Sequence, residues 1–357
     1  MTTRRGFMAS LLAASALPGL SWADAGNPSY LAAAKVPVGR FALHGLSDAG
    51  QSLFSIPLPA RGHAATAHPT RPEAVAFARR PGIYAIILSC ANGAVLARLA
   101  PPADTQFNGH GCFSQDGSVL YTSEVIADSS EGRIGLWDAT ADYRRIGSWA
   151  SGGIGPHDVK RLPGHDILVV ANGGIKTDPD DRTKLNIDSM QPNLSYLDDA
   201  GQISDVITLG SDLAQNSIRH LSIAPDGMVA FAMQWEGDPA EPVPLLGLHN
   251  RGGDPQLCIV PDDQMFTMQG YAGSIAFDLA GLEVAITSPQ GGAVHIFGRD
   301  GEFRAGLSRA DACGIAAGIN GFLLTDGFGV VSQIKDHAML ALTQNPASWD
   351  NHLIALV

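Results

Sequence analysis

The sequence predicts an all-β chain closed into a seven-bladed β-propeller, and three observations predict it. A histidine-to-glycine frame recurs along the chain. Each recurrence is followed by short β-rich runs separated by turn residues. The two ends of the chain, finally, complement one another as parts of one repeat unit. The frame is plainest in NGHGCFSQDG, residues 108–117, and IRHLSIAPDG, residues 218–227, each with a histidine seven residues before a glycine.

The repeated position holds His63, His110, His157 and His220, and then Ser274 and Gly314. Gly117, Gly164, Gly227, Gly281 and Gly321 close the interval, with Thr70 in that place after His63. Apolar runs of strand character come next: EAVAFAR, SVLYTSE, DILVVAN, MVAFAMQ, LEVAITS and FLLTDG. Behind them lie paired runs joined by Gly, Asn and Asp, such as GAVHIFGRDGEFRAGL, which is hairpin chemistry. Each unit therefore reads as four antiparallel strands, one propeller blade. His63, His110 and His157 stand 47 residues apart, a blade's length.

Six whole units are visible, and the ends supply the seventh. Asn351-His352-Leu353-Ile354-Ala355 resembles Arg219-His220-Leu221-Ser222-Ile223 and reads as an innermost strand. SYLAAAKV, RFALHGLS and QSLFSIPL supply its three outer strands, so one C-terminal and three N-terminal strands close the ring and remove its open edges. A single propeller domain is expected over residues 27–357.

Residues 1–23 read as a twin-arginine signal peptide. Thr3-Arg4-Arg5-Gly6-Phe7-Met8 carries the motif, Ala9 to Leu20 is apolar, and Ser21-Trp22-Ala23 offers small residues for cleavage. The expected location is the periplasm. No other apolar stretch approaches spanning length, so no membrane span is expected in the mature chain. The formal net charge of −12 argues against nucleic-acid binding, because such a surface repels phosphate backbones. Cys90, Cys112, Cys258 and Cys313 lack CxxC or CxxCH spacing, which argues against covalent haem and cysteine-ligated zinc; buried free thiols are the expectation.

The frame places one residue of every blade where its innermost strand begins, at one mouth of the central channel. Five of seven such positions are histidine: His63, His110, His157, His220 and His352. A structural reading has each histidine tying its own blade together by hydrogen bonds. The functional reading is a ligand or metal site, since neutral imidazole binds zinc, copper and iron and carboxylates orient it. His157, His220 and His110 are the candidate metal ligands, with Asp158, Glu124 and Asp326 as candidate supporting carboxylates. Opposite positions of a seven-fold ring are expected to lie too far apart for one ion to meet all five histidines. That consideration favours non-covalent haem or another flat cofactor gripped by one or two of them. Arg79, Arg80, Asn172, Gln234 and Glu236 end or follow second strands and are expected at the same mouth. GGIKTDPDDRTKLNIDSMQP, residues 173–192, follows a second strand too and should cover the mouth as a lid without secondary structure of its own. Its Arg182 and Lys184 suit an anionic ligand or its own aspartates. His68, His165 and His337 fall near blade turns and read as surface residues.

GPHDVKRLPGHDILVVANGGIKTDPDDRTKLNIDSMQPNLSYLD, residues 155–198, together with IRHLSIAPDGMVAFAMQWEG, residues 218–237, resembles the bacterial family catalogued as domain of unknown function 1513. His157, Asn172, Gly173, Gly174, Leu185, Asn186 and Tyr196 match its pattern, whereas Asp178 stands where the family often has histidine. The resemblance spans essentially the whole mature chain. It implies an exported seven-bladed propeller, similar in fold to quinoprotein dehydrogenases, YVTN-repeat and WD40-like proteins. It also implies iron-related periplasmic work beside imelysin-like or di-haem proteins.

Three functional classes follow. One is a binding propeller that holds a ligand, an iron or haem species, or a protein partner at the histidine mouth. A second is an enzyme at the same mouth, either a lactonase-like hydrolase or an oxidoreductase with a non-covalent cofactor. The third is an interaction module that reads a partner on a blade edge. No GxSxG, GxGxxG or P-loop signature is present, which favours binding.

Overall fold

A computed structural model describes residues 20–79, 84–181 and 183–356. The Arg4-Arg5 motif, Arg80 and Arg182 lie outside the described residues. The chain forms seven four-stranded antiparallel sheets. The innermost strands are Gly62–Ala67, Thr105–Phe113, Pro156–Arg161, Asn216–Ile223, Ser274–Phe277, Ala312–Gly318 and Ser348–Ala355. They begin blades 1 to 7 in that order. Blade 7 closes the ring as expected: Ser348–Ala355 pairs with Tyr30–Val36, setting Tyr30 opposite Ala355 and Ala32 opposite Leu353. Arg40–Leu46 and Ser52–Leu58 complete that sheet.

Burial explains why the strand patterns differ across a blade. Second strands such as Leu168–Asn172 are buried throughout, because a neighbouring blade covers each face, and so they read as unbroken apolar runs. Outermost strands such as Phe303–Ser308 alternate between half-buried and exposed residues, since one face meets solvent. The core is correspondingly divided into seven apolar clusters, one at every seam between blades. Val75, Phe77 and Ile87 of blade 1 meet Phe107, Leu120 and Trp137 of blade 2, for example. Each fully buried Phe or Ile there contributes roughly 1.5–3 kcal/mol of transfer free energy. The seams therefore hold the toroid together and fix the channel's walls.

The five repeat glycines, at 117, 164, 227, 281 and 321, all adopt φ between 66° and 109°, the left-handed region that the turn between first and second strands demands. His68 departs from its expected surface place. It is buried, its Nδ1 accepting from the backbone N–H of Thr70 and Arg71 while its Nε2 donates to the Gly117 carbonyl at 3.1 Å. It thus fastens a turn of blade 1 to blade 2. His165 is exposed, and His337 is partly exposed beside Glu283 at 2.8 Å. All four cysteines are free and buried, and burial pushes the Cys90, Cys112 and Cys258 thiols up to about 12. Among the described residues no helix is long and apolar enough to cross a membrane.

Candidate metal centre

The histidines reach the channel through local irregularity. In blades 1, 2, 3, 4, 6 and 7 the register between first and second strand shifts at or beside the repeated position, for instance between Phe107 and Gly111 and between Ile218 and His220. Blade 5, which has Ser274 there, pairs regularly. A β-bulge sets two residues against one and re-aims their side chains. Backbone groups released by the bulge are taken up by hydroxyls: Ser123 Oγ accepts from the His110 N–H, and Thr325 Oγ1 accepts from Gly314. Two glycines make room. Gly109 adopts φ +100°, and a Cβ there would lie 2.6 Å from the His63 ring; one on Gly314 would lie 2.6 Å from the Leu353 nitrogen.

The result is a compact imidazole cluster. Ring centroids of His63 and His110 are 4.8 Å apart, those of His110 and His157 4.9 Å, and those of His157 and His220 4.7 Å. His352 closes the group, 4.6 Å from His63 and 4.8 Å from His220. The bulges draw the five imidazoles into one cluster, but among the described residues the ligand atoms close enough to share one ion come in threes and never as all five. Ligand atoms of His63, His110 and His352, and separately of His110, His157 and His220, lie within 4.8 Å of one another. His110 belongs to both triplets.

The cluster is poor in internal hydrogen bonds. His110 Nε2 meets His63 Nε2 at 3.1 Å, and Arg219 reaches His157 Nδ1 at 3.5 Å, the outer limit of a bond. The buried His63 Nδ1, His157 Nε2, His220 Nδ1 and His352 Nε2 have no hydrogen-bond partner among the described residues. Burial, reinforced by neighbouring imidazoles, holds the His63, His157 and His352 pKa values well below the ordinary histidine range, and burial pushes His220 down to about 3. These four rings are neutral at pH 7, and neutral rings carry lone pairs.

Asp158 is the carboxylate the cluster does contain. Its Oδ1 lies 3.3 Å from His110 Nδ1 and accepts from the Val159 N–H, while Oδ2 accepts from the Leu221 N–H across the blade 3–4 seam. Burial works to raise its pKa, but Lys160 and His110 outweigh that effect and leave the group below the usual carboxylate range. A carboxylate on Nδ1 turns the Nε2 of His110 toward the other rings.

Two cavities flank the cluster. One, of about 600 Å³, is lined by His110, Asp158, Lys160, His220 and His352. The other, of about 260 Å³, is lined by His63, His157 and His220 below and by Ile175, Thr177 and Lys184 of the lid above. The lid does cover the histidine mouth, but it carries structure. A bridge pairs Thr177 with Lys184, Asn186 accepts from the Lys176 N–H at 2.7 Å, and Ile187–Ser189 forms a 3-10 turn. Lys184 and Arg219 both pair with Glu236, which ties the lid to blade 4.

Three expected site residues lie elsewhere. Glu124 is fully buried within blade 2 and forks to Arg145 on the outermost strand, both bonds 2.8 Å. Asn172 is fully buried at the blade 2–3 seam and bonds Ser151, Asn193 and Ser195. Asp326 pairs with Arg309 at 2.6 Å and accepts the Phe328 and Val330 N–H groups, closing a turn in blade 6. Each satisfies polar groups within a blade or across a seam, and among the described residues neither Glu124 nor Asp326 bonds a channel histidine. Arg79, Gln234 and Glu236 do line the lid chamber. Sequence reasoning missed Arg219 and Lys160. Strict alternation points Arg219 away from its neighbour His220, yet the bulge lets both line the lid chamber.

Residues 56–356 match the model of a family described as "Protein of unknown function (DUF1513)". None of the curated proteins matches the chain. Among solved structures, hydrazine synthase of Kuenenia stuttgartiensis is similar with a TM-score of 0.63 at 12% identity, over 89% of this chain and 96% of that one. The WD40 repeats of RRP9 are similar with a TM-score of 0.57 at 12% identity, over 79% of each chain. A KlHsv2 variant is similar with a TM-score of 0.53 at 10% identity, over 89% of this chain and 93% of that one. At such identities the likeness is one of fold alone.

Proposed function

The chain belongs to the DUF1513 family, and for this member we propose that the channel histidines bind a divalent first-row transition-metal ion. The observation that carries the reading is the set of four buried imidazole nitrogens without hydrogen-bond partners among the described residues, gathered in one cluster. Buried polar atoms are almost always paired in folded proteins, so four orphans in one place call for a shared partner. A cation is that partner, because the rings are neutral and imidazole suits zinc, copper, iron and nickel. Histidines that served only to tie their own blades would bond their own strands, whereas His110 and His63 bond each other. The His63, His110 and His352 rings pack edge to face at 4.6–4.8 Å, which leaves no slot for a porphyrin plane between them and favours a bare ion over haem.

His110, His157 and His220 would supply one facial set of nitrogens, with Asp158 orienting His110. The ion itself would contribute Lewis acidity. The Arg4-Arg5 motif supports export to the periplasm, and iron is the metal that suits the iron-related role the family resemblance implies. In that setting imelysin-like or di-haem proteins would be its partners.

Calorimetric titration of metal-free protein with Zn²⁺, Cu²⁺, Ni²⁺ and, anaerobically, Fe²⁺ tests the reading. At least one ion should bind near one equivalent with a Kd of about 1 μM or tighter. Binding unchanged in the His157→Ala, His220→Ala double variant, or no binding by any ion, overturns it.

A further inference from the structure

The lid chamber on the other side of the histidines has a chemistry of its own, and its geometry points to a second site, one for a small polycarboxylate anion. Three cations line it: Arg79, Lys184 and Arg219. Among the described residues two carboxylates form ion pairs with them. Glu236 serves both Lys184 and Arg219, and Asp350 serves Arg79 at 3.3 Å while also pairing with Arg61 at 2.7 Å. Among the described lining residues three cations face one carboxylate, Glu236, with Asp350 and Arg61 outside the lining, in a protein whose formal net charge is −12. Such a concentration of positive charge under a lid focuses the field on an incoming anion.

Glu236 indicates which kind of anion. Its carboxylate already sits between Lys184 and Arg219, so the walls accept a carboxylate at that point, and Glu236 is the intramolecular competitor of the ligand. Arg79 offers a guanidinium, whose planar fork matches a second carboxylate. Tyr271, Gln234 and Asn351 add uncharged polar groups to the lining. The volume of about 260 Å³ lies at the low end of ligand pockets, which run roughly 300–1,000 Å³. That excludes nucleotides and macrocycles and suits a di- or tricarboxylate of citrate or oxalate size. Because Lys184 belongs to the lid and Glu236 to blade 4, an anion that displaces Glu236 also takes over the tie that holds the lid. The site stands on its own cations and requires no metal below it, although a cation bound by the histidines would strengthen it.

The experiment uses full-length protein stripped of metal with an immobilised chelator, titrated at low ionic strength with citrate, oxalate, inorganic phosphate and an uncharged triamide of citrate. Citrate or oxalate should bind, more weakly as salt rises. Lys184→Met and Arg79→Gln should each weaken binding about tenfold or more, the scale of a lost charge-assisted bond. Glu236→Gln should tighten it several-fold by removing the competitor, a gain that a merely structural Glu236 would not produce. Arg304→Gln, on an exposed ion pair of blade 5, should leave it unchanged. No carboxylate binding at ~10 mM, binding of phosphate only, or weaker binding in Glu236→Gln overturns the assignment. Since no metal is present, failure here leaves the metal reading unaffected, and the converse also holds.

Discussion

Metal-free protein is expected to lose up to about 8 kcal/mol of stability through its channel histidines between pH 6.5 and about pH 5. The four rings of His63, His157, His220 and His352 have folded-state pKa values depressed by burial, whereas their unfolded value is near 6.5. Well above pH 6.5 both states are neutral and nothing is lost. Below it the unfolded chain takes up protons that the folded channel refuses, so stability falls with pH. Each ring contributes about 1.4 kcal/mol per pH unit, or about 2 kcal/mol over this window. Arg79, Arg219 and Lys160 face the cluster and oppose protonation, while Asp158, and Glu236 across the lid chamber, favour it. The sum approaches the roughly 5–15 kcal/mol that holds a typical domain together. Urea unfolding at pH 7, 6 and 5 measures it. His44 and His295, pushed down to about 4 by burial, add to the slope, so His220→Asn with His352→Asn should reduce it by about a third. A urea midpoint that stays constant from pH 7 to 5 would contradict the account of neutral buried rings.

The second large effect concerns His110. Because it belongs to both triplets, His110→Ala removes a ligand from each candidate coordination set found among the described residues. Metal affinity should fall about a thousandfold or more, beyond the 10–100-fold typical of a supporting residue. Asp158→Asn should fall within that 10–100-fold range, since the amide keeps its size and loses only the charge that orients His110. Competition against a chromogenic chelator resolves the two magnitudes. Equal losses in both variants would mean that Asp158 touches the ion directly, and a smaller loss for His110→Ala would contradict its shared position.

How much of this was legible beforehand follows from periodicity. A blade repeats one backbone path, so one residue in one register returns to one place, and His63, His110, His157, His220 and His352 could be assigned to the channel from spacing alone. Closure by residues 351–355 and the three N-terminal strands was equally readable, because an unpaired innermost strand and three outer strands complete one sheet. What spacing cannot express is a bulge. The register break at Phe107/Gly111 is met by the Ser123 hydroxyl, which takes up the His110 N–H, and the separate break at Ile218/His220 accompanies Arg219 turning inward beside His220. Glu124 misled for a related reason. It ends a second strand, as mouth residues do, yet Arg145 reaches it from two strands away, and that pairing depends on register. The lid does lie over the mouth, but its Thr177–Lys184 bridge is a single isolated pair, too short to leave an alternating strand pattern in the sequence.

X-ray absorption at the metal edge, on protein loaded with one equivalent of the tightest-binding ion, tests the central claim most directly. The account predicts three or more nitrogen neighbours at about 2.0–2.1 Å, with the outer-shell scattering of imidazole, reduced in the His157→Ala, His220→Ala variant. A first shell of oxygen or sulfur without imidazole scattering would contradict it.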